Sequence, residues 1–202
     1  MNQKTTNNIF DLSQWSKLAR LGSVNAIVGL SEMVNQEVTV STLDLEEVSI
    51  KNAVNMVGKP EALTIGIYLL FTGNTSGQIL LAFQPEIAFE LVDMVMGNEP
   101  MTTTELGDME RSVLGEMGNI VGTFFLNAVA DHSDSCLSPS PPAVVMDMSA
   151  SLVDSVMVKA IAENESVWAI KLAFRTGERQ LEGKFLVLPV MSPAAQTDQG
   201  EE

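Results

Sequence analysis

The stretch ELGDMERSVLGEMGNIVGTFFLNAV, residues 105–129, decides the fold. Wound as a helix at about 100° per residue, it sorts its side chains into three lines. Val113, Leu114, Met117, Ile120, Val121, Phe124 and Phe125 gather on one broad apolar side. Ser112, Glu116, Asn119, Thr123 and Asn127 form a narrow polar stripe. Gly115, Gly118 and Gly122 form a bare shoulder between them. A glycine inside a helix costs about 1 kcal/mol relative to alanine, so close approach of another backbone is expected to compensate.

The same pattern occurs earlier in the chain. Moved forward by 96 positions (18 + 96 = 114), Leu18 meets Leu114, Gly22 meets Gly118 and Ala26 meets Gly122. Ala19, Gly22, Ala26 and Gly29 repeat the small-residue ridge. Further on, Leu70-Phe71-Thr72-Gly73 resembles Phe174-Arg175-Thr176-Gly177, with an apolar run and a proline after each. This implies an α+β fold of the two-layer type with an internal pseudo-two-fold repeat. Each half is a long helix followed by antiparallel strands, and the two bare ridges are expected to pack against each other. The expected organisation is one domain over 1–202, with repeats at about 11–98 and 105–191 and flexible tails at 1–10 and 192–202.

Between these landmarks the chain reads as follows. A first helix, capped by Asp11 or Ser13, runs to about Val34. Gln36–Leu43 is a strand, and Asp44–Val57 is open between a short helix and a loop. Glu61–Thr72 and Gln78–Phe83 form a hairpin about Gly73 to Gly77. Glu86–Met96 is a helix started by Pro85 and closed by Gly97-Asn98. Asp131–Pro142 is a loop, Ala143–Met148 a short strand and Ala150–Ser155 a helical turn. Val156–Ala162, Ser166–Thr176 and Gln180–Pro189 are expected as strands. Met94, Met96 and Met117 fall at helical spacing and are expected in the core.

Composition narrows the function classes. The 202 residues are 46% apolar and carry a net charge of −15. That charge argues against a nucleic-acid partner, which needs clustered Lys and Arg, and against an anionic membrane surface. The single cysteine, Cys136, excludes an internal disulfide framework. The N-terminus is polar and no apolar run reaches about 18 residues, so no segment is expected to span a membrane. A cytoplasmic protein is the expectation. The segment Asp131-His132-Ser133-Asp134-Ser135-Cys136 crowds its polar groups into one loop without a second cluster, so no metal site is expected there.

The quoted helix resembles a family signature. Ser112, then Glu116 after three residues and Asn119 after two more, with glycine at 118, is similar to the motif of the CheC/CheX/FliY chemotaxis phosphatases. Ser138-Pro139-Ser140-Pro141-Pro142-Ala143-Val144-Val145 resembles a matching CheC segment. The resemblance implies a pseudo-two-fold domain that dephosphorylates the aspartyl phosphate of a CheY-type response regulator. It implies no cofactor of the chain's own, because the Mg²⁺ belongs to the regulator. It also makes CheD a candidate partner. The two-halved length is like CheC, without the extra C-terminal domain of FliY or FliM. Only the second half matches the motif.

The chemistry assigned to the motif is simple. An acyl phosphate needs a placed water and charge stabilisation. The Asn119 carboxamide suits the first task. Glu116, on an exposed face, suits docking better than strong general-base work; the resemblance pairs it with a lysine beside the partner's phosphoaspartate. Ser112 is at most a docking contact. In the first half Arg20 stands at the place of Glu116 and Ser23 at that of Asn119, so that stripe is expected to be silent. Exchanging the two for Glu and Asn could restore a second site, because the surrounding Leu18, Gly22 and Ala26 still match. Two function classes follow: a response-regulator phosphatase, or a non-catalytic module that holds CheD or a regulator without turnover.

Overall fold

Two long helices, α1 (Leu12–Val34) and α4 (Asp108–Ser133), lie side by side on one face of a seven-stranded sheet. The computed structural model describes residues 12–74, 76–160, 166–177 and 179–189. Between the long helices come β1 (Val38–Ser49), α2 (Ile50–Val57), β2 (Leu63–Gly73), β3 (Gly77–Phe83) and α3 (Pro85–Met96). After α4 come β4 (Leu137–Pro139), β5 (Ala143–Met148), α5 (Ser149–Ala160), β6 (Ser166–Thr176) and β7 (Arg179–Pro189). The tails expected at 1–10 and 192–202 lie outside the described residues, as do Asp11 and the end of the strand expected at Val156–Ala162.

The sheet runs β1-β6-β7-β3-β2, and β2 then pairs with β4 along one part of its length and with β5 along another. The ladders among the described residues are antiparallel. At the centre, β3 lies on β7 with Leu81 opposite Phe185. Strand β3 is buried at every residue, which a half-solvated antiparallel strand is not. The reason is a layer on each side.

On the first face α1, α3 and α4 cover Ile65, Ile67, Leu69, Phe71, Ile79, Leu81, Phe174 and Phe185. Phe125 of α4 meets Phe185 edge-on, ring centres 4.9 Å apart at 66°, a geometry worth about 1 kcal/mol beyond burial. On the second face Ala53, Met56 and Val57 of α2 and Val153 of α5 cover Val48, Leu80, Ala82 and Leu186. The two-layer expectation is therefore one layer short.

Three further expectations are corrected and one open reading is resolved. Val156–Ala160 continues a helix rather than a strand. Ser149, Leu152 and Val153 are the buried positions, a helical spacing, and it outweighs the β-preference of the valines. The open segment 44–57 divides between the end of β1 and α2. Of the three methionines, Met117 is buried and Met94 packs on the core, but Met96 is exposed. Helix α4 is long and apolar enough, by length and composition, to cross a membrane, which no segment was expected to be. Its apolar side is spent on the sheet and on α1 instead.

A carboxylate closes the turn between α3 and α4. Gly97 takes the left-handed conformation at φ 69°, and Asn98 N–H donates to Asp93 O at 2.8 Å. The Asp93 side chain is buried and accepts from Thr102 N, Thr103 N and Thr103 Oγ1 at 3.0, 3.0 and 2.7 Å. Burial pushes its pKa up, but the hydrogen bonds from Thr103, Thr102 and Asn98 outweigh that and hold it below the usual 3.8.

Candidate functional site

The site begins with the missing side chains of α4. A Cβ on Gly118 would fall 2.4 Å from Ile67 Cγ2, and one on Gly122 would fall 2.8 Å from Leu69 Cδ2. The glycine shoulder is thus the surface on which α4 sits down against β2. In α1, Gly22 and Gly29 do the same for aromatic rings: their Cβ atoms would meet Phe125 and Phe124 at 2.5 and 2.9 Å. The two bare ridges do not face each other, as had been expected. One receives the phenylalanines of α4 and the other receives the sheet.

Seating α4 on its glycines turns the polar stripe away from the sheet and along an open groove of about 690 Å³. Asp108, Arg111, Ser112, Gly115, Glu116 and Asn119 form one wall. The segment from Pro139 to Pro142, with Val144 of β5, forms the other. Ser140 holds this second wall: its N–H donates to Leu70 O at 2.8 Å, and its Oγ accepts from Leu70 N at 3.0 Å. Prolines supply no N–H of their own, so a serine among them carries the anchoring.

Glu116 and Asn119 are one helical turn apart, about 4.5 Å along the axis. Ser112 and Glu116 are exposed at the lip, and Asn119 is half-buried. None of the three side chains makes a hydrogen bond or ion pair among the described residues. A carboxylate and a carboxamide therefore face the groove with their hydrogen-bonding capacity uncommitted. The carboxamide both donates and accepts, so it can orient one water.

Arg111 was missed by the sequence reading. Its Nη1 donates to Val144 O at 2.9 Å and ties the two walls together. Its only sequence signal is its place four residues before Gly115. The proline-rich segment was noticed for its resemblance, while its position as a wall depends on the pairing of β2 with β4 and β5.

The first half is built differently at the matching places. Ser23 is buried, and its Oγ donates to Ala19 O at 2.7 Å. It is not on an exposed stripe, as had been expected. Arg20 is exposed and its Nη1 reaches Leu43 O of β1 at 3.4 Å. The other polar cluster singled out in the sequence stays apart from this groove. His132 Nδ1 lies 2.9 Å from Ala128 O, and Cys136 is exposed with its backbone N–H on Asn74 Oδ1. Among the described residues no three His, Cys, Asp or Glu side chains come together as metal ligands.

Comparison with known proteins bears on this arrangement. Residues 65–162 match the family model described as Chemotaxis phosphatase CheX. The chain is 21% identical over 177 residues to the CheY-P phosphatase CheC of Bacillus subtilis, covering 86% of this chain and 85% of that one. Its fold is similar to that of Thermotoga maritima FliY, with a TM-score of 0.69 and 16% identity over 88% of this chain and 90% of that one. It is also similar to a chain of the Borrelia burgdorferi CheX-CheY-BeF3-Mg complex, with a TM-score of 0.53 and 15% identity over 85% and 97%.

Proposed function

We propose that this chain, which carries a CheX/CheC chemotaxis-phosphatase-like domain, hydrolyses the aspartyl phosphate of a CheY-type response regulator. The observation that carries the reading is the uncommitted Glu116 and Asn119 pair, one turn apart on the groove side of α4. In this reading Asn119 holds a water in line with the acyl phosphate. The water oxygen attacks phosphorus, the bond from phosphorus to the acyl oxygen breaks, and the aspartate carboxylate and inorganic phosphate leave. Glu116 pairs with a cation beside the phosphoaspartate and sets the register of docking. Ser112 is a further docking contact at the lip. The Mg²⁺ is the regulator's, and the protein works in the cytoplasm with the regulator as its partner and CheD as a second candidate.

The internal repeat belongs to the same reading, with a single domain made of halves at about 11–98 and 105–191. The strand order supports it: exchanging β1 with β5, β2 with β6 and β3 with β7 turns β1-β6-β7-β3-β2-β5 into the same order read from the other edge. The shift of 104 that relates the two Thr-Gly segments also carries Leu81 onto Phe185 (81 + 104 = 185), its own cross-strand partner. Within this scaffold one half holds the Glu and Asn pair. Buried Ser23 and Arg20, which reaches Leu43 O of β1, leave the other half without it.

The alternative is an adaptor of the same fold that binds a regulator or CheD without turnover, and the lack of the pair in the first half favours it. One experiment decides between them: decay of the phosphorylated regulator with and without the protein at substoichiometric amounts. Acceleration beyond one turnover per molecule supports the phosphatase. Binding without acceleration supports the adaptor.

A further inference from the structure

Arg111 is the groove residue for which the proposed chemistry has no use. It sits in the first turn of α4, where the helix dipole is positive and disfavours a cation. Asp108 and Glu116 are the other charged residues lining the groove, and neither forms an ion pair with it among the described residues. The bond from Nη1 to Val144 O accounts for one donor. That bond also stretches the guanidinium over the second wall and fixes it there, and the remaining N–H groups, on an exposed side chain, have no protein acceptor among the described residues.

Its distance from the reacting centre limits what it can touch. Arg111 precedes Asn119 by eight residues, about 12 Å along the helix, and helical side chains lean toward the N-terminus. On one donor the guanidinium is held to the carbonyl of Val144, a residue whose side chain lies over Gly115, where a Cβ would meet Val144 Cγ2 at 3.9 Å. Glu116 lies about 7–8 Å along the axis from Arg111. Along α4 the groove thus offers the Asp108 carboxylate at the end of the wall, then the Arg111 cation, and the Glu116 carboxylate further in.

We infer that Arg111 is a specificity residue: it receives a carboxylate on the rim of the regulator's phosphorylation site, while Glu116 receives a cation. This rests on the phosphatase reading and adds a direction to it. Docked the opposite way round, both contacts become like-charge and repel. In a chain of net charge −15 the arginine is also the local attraction that an acidic surface would find.

The test is direct binding of a regulator loaded with beryllofluoride and Mg²⁺, which mimics the acyl phosphate without turning over. Wild type, Arg111→Lys, Arg111→Ala and Arg111→Glu are compared at low and high salt, each with its melting temperature. The expected order of affinity is wild type, then Lys, then Ala, then Glu. Ala should bind about 10-fold more weakly and Glu weaker still, with the spread shrinking in high salt. In turnover, half-saturation should rise while the maximal rate stays within about twofold. Equal binding by Ala and Glu, or binding by both within twofold of wild type, overturns the inference. If Ala unfolds through loss of the Val144 bond, the salt response of wild type and of Arg111→Lys still reports the charge. A wild type that binds with the expected charge order but never hydrolyses refutes the phosphatase and leaves Arg111 standing. One that does not bind refutes both.

Discussion

Gly118 lies so close to Ile67 that a Cβ on it would be 2.4 Å from Ile67 Cγ2. Ile67 is fully buried and β-branched, so it has little freedom to move aside. Gly118→Ala gains about 1 kcal/mol of helix propensity but pays for overpacking at about 1–3 kcal/mol. The net expectation is a loss of stability together with a shift of α4 that misplaces Asn119. Gly115 differs: its Cβ would meet only Val144 Cγ2 at 3.9 Å, an ordinary contact. Gly115→Ala should raise stability by up to about 1 kcal/mol. Urea unfolding of the two variants checks the pair, and a destabilised Gly115→Ala would refute this account of the shoulder.

Asn119→Ala should lower the phosphatase rate by about 10²-fold or more, by analogy with the loss of one positioned donor. The side chain makes no internal hydrogen bond among the described residues, so the melting temperature should barely change. A rate near wild type would remove the water-positioning role.

Glu116→Ala should raise the regulator concentration needed for half-maximal rate, and added salt should imitate part of the effect in wild type. The measurement is rate against regulator concentration at two ionic strengths. A fall in maximal rate with unchanged half-saturation would make Glu116 a participant in the chemistry instead.

Arg20→Ala with Ser23→Ala should leave turnover within about twofold of wild type, because neither residue lies on the groove. The reciprocal change, Arg20→Glu with Ser23→Asn, is not expected to create a second site. Position 23 is 1% exposed, so a carboxamide there would be buried without a partner. A loss of about 1–3 kcal/mol in stability is expected instead. Doubled activity in that variant would show that the first half opens in solution.

Asp93 makes a pH-dependent contribution. Its folded pKa is depressed, so its stabilisation is present above the ordinary value of 3.8 and lost as pH falls through the folded value. Asp93→Ala should cost about 1.5–3 kcal/mol at neutral pH, the range for hydrogen bonds to a charged group. The gap from wild type should narrow in acid once wild-type Asp93 is protonated. Unfolding midpoints of both proteins at pH 7 and in acid measure this, and a constant gap would place the loss in packing rather than charge.

Much of this molecule was legible from periodicity. The apolar side of α4, the hairpin of β2 with β3, and the Pro85 start and Gly97 stop of α3 all follow from local rules. Packing partners did not follow. Small residues announce close approach without naming what approaches, so Gly118 was matched with the wrong neighbour. Ser23 falls on the polar stripe by helical angle, yet a single hydroxyl can turn to the Ala19 carbonyl and be buried, which angle alone does not reveal. The second wall of the groove depends on which strand pairs with β2, and no local pattern encodes that. Arg111 looked like an ordinary solvated charge until the wall was in place.

The strand order also bears on how the chain is made. Val38 pairs with Thr176 and Gly77 with Pro189, so β1 and β3 have partners that are synthesised long after them. A nascent chain grows from the N-terminus at about 5–20 residues per second. For several seconds it therefore holds a central strand, apolar from Ile79 to Phe83, with one bare edge, the template on which stray chains aggregate. Completion of the described sheet depends on β7, and the interval before β7 emerges is when a holding chaperone would have most to protect.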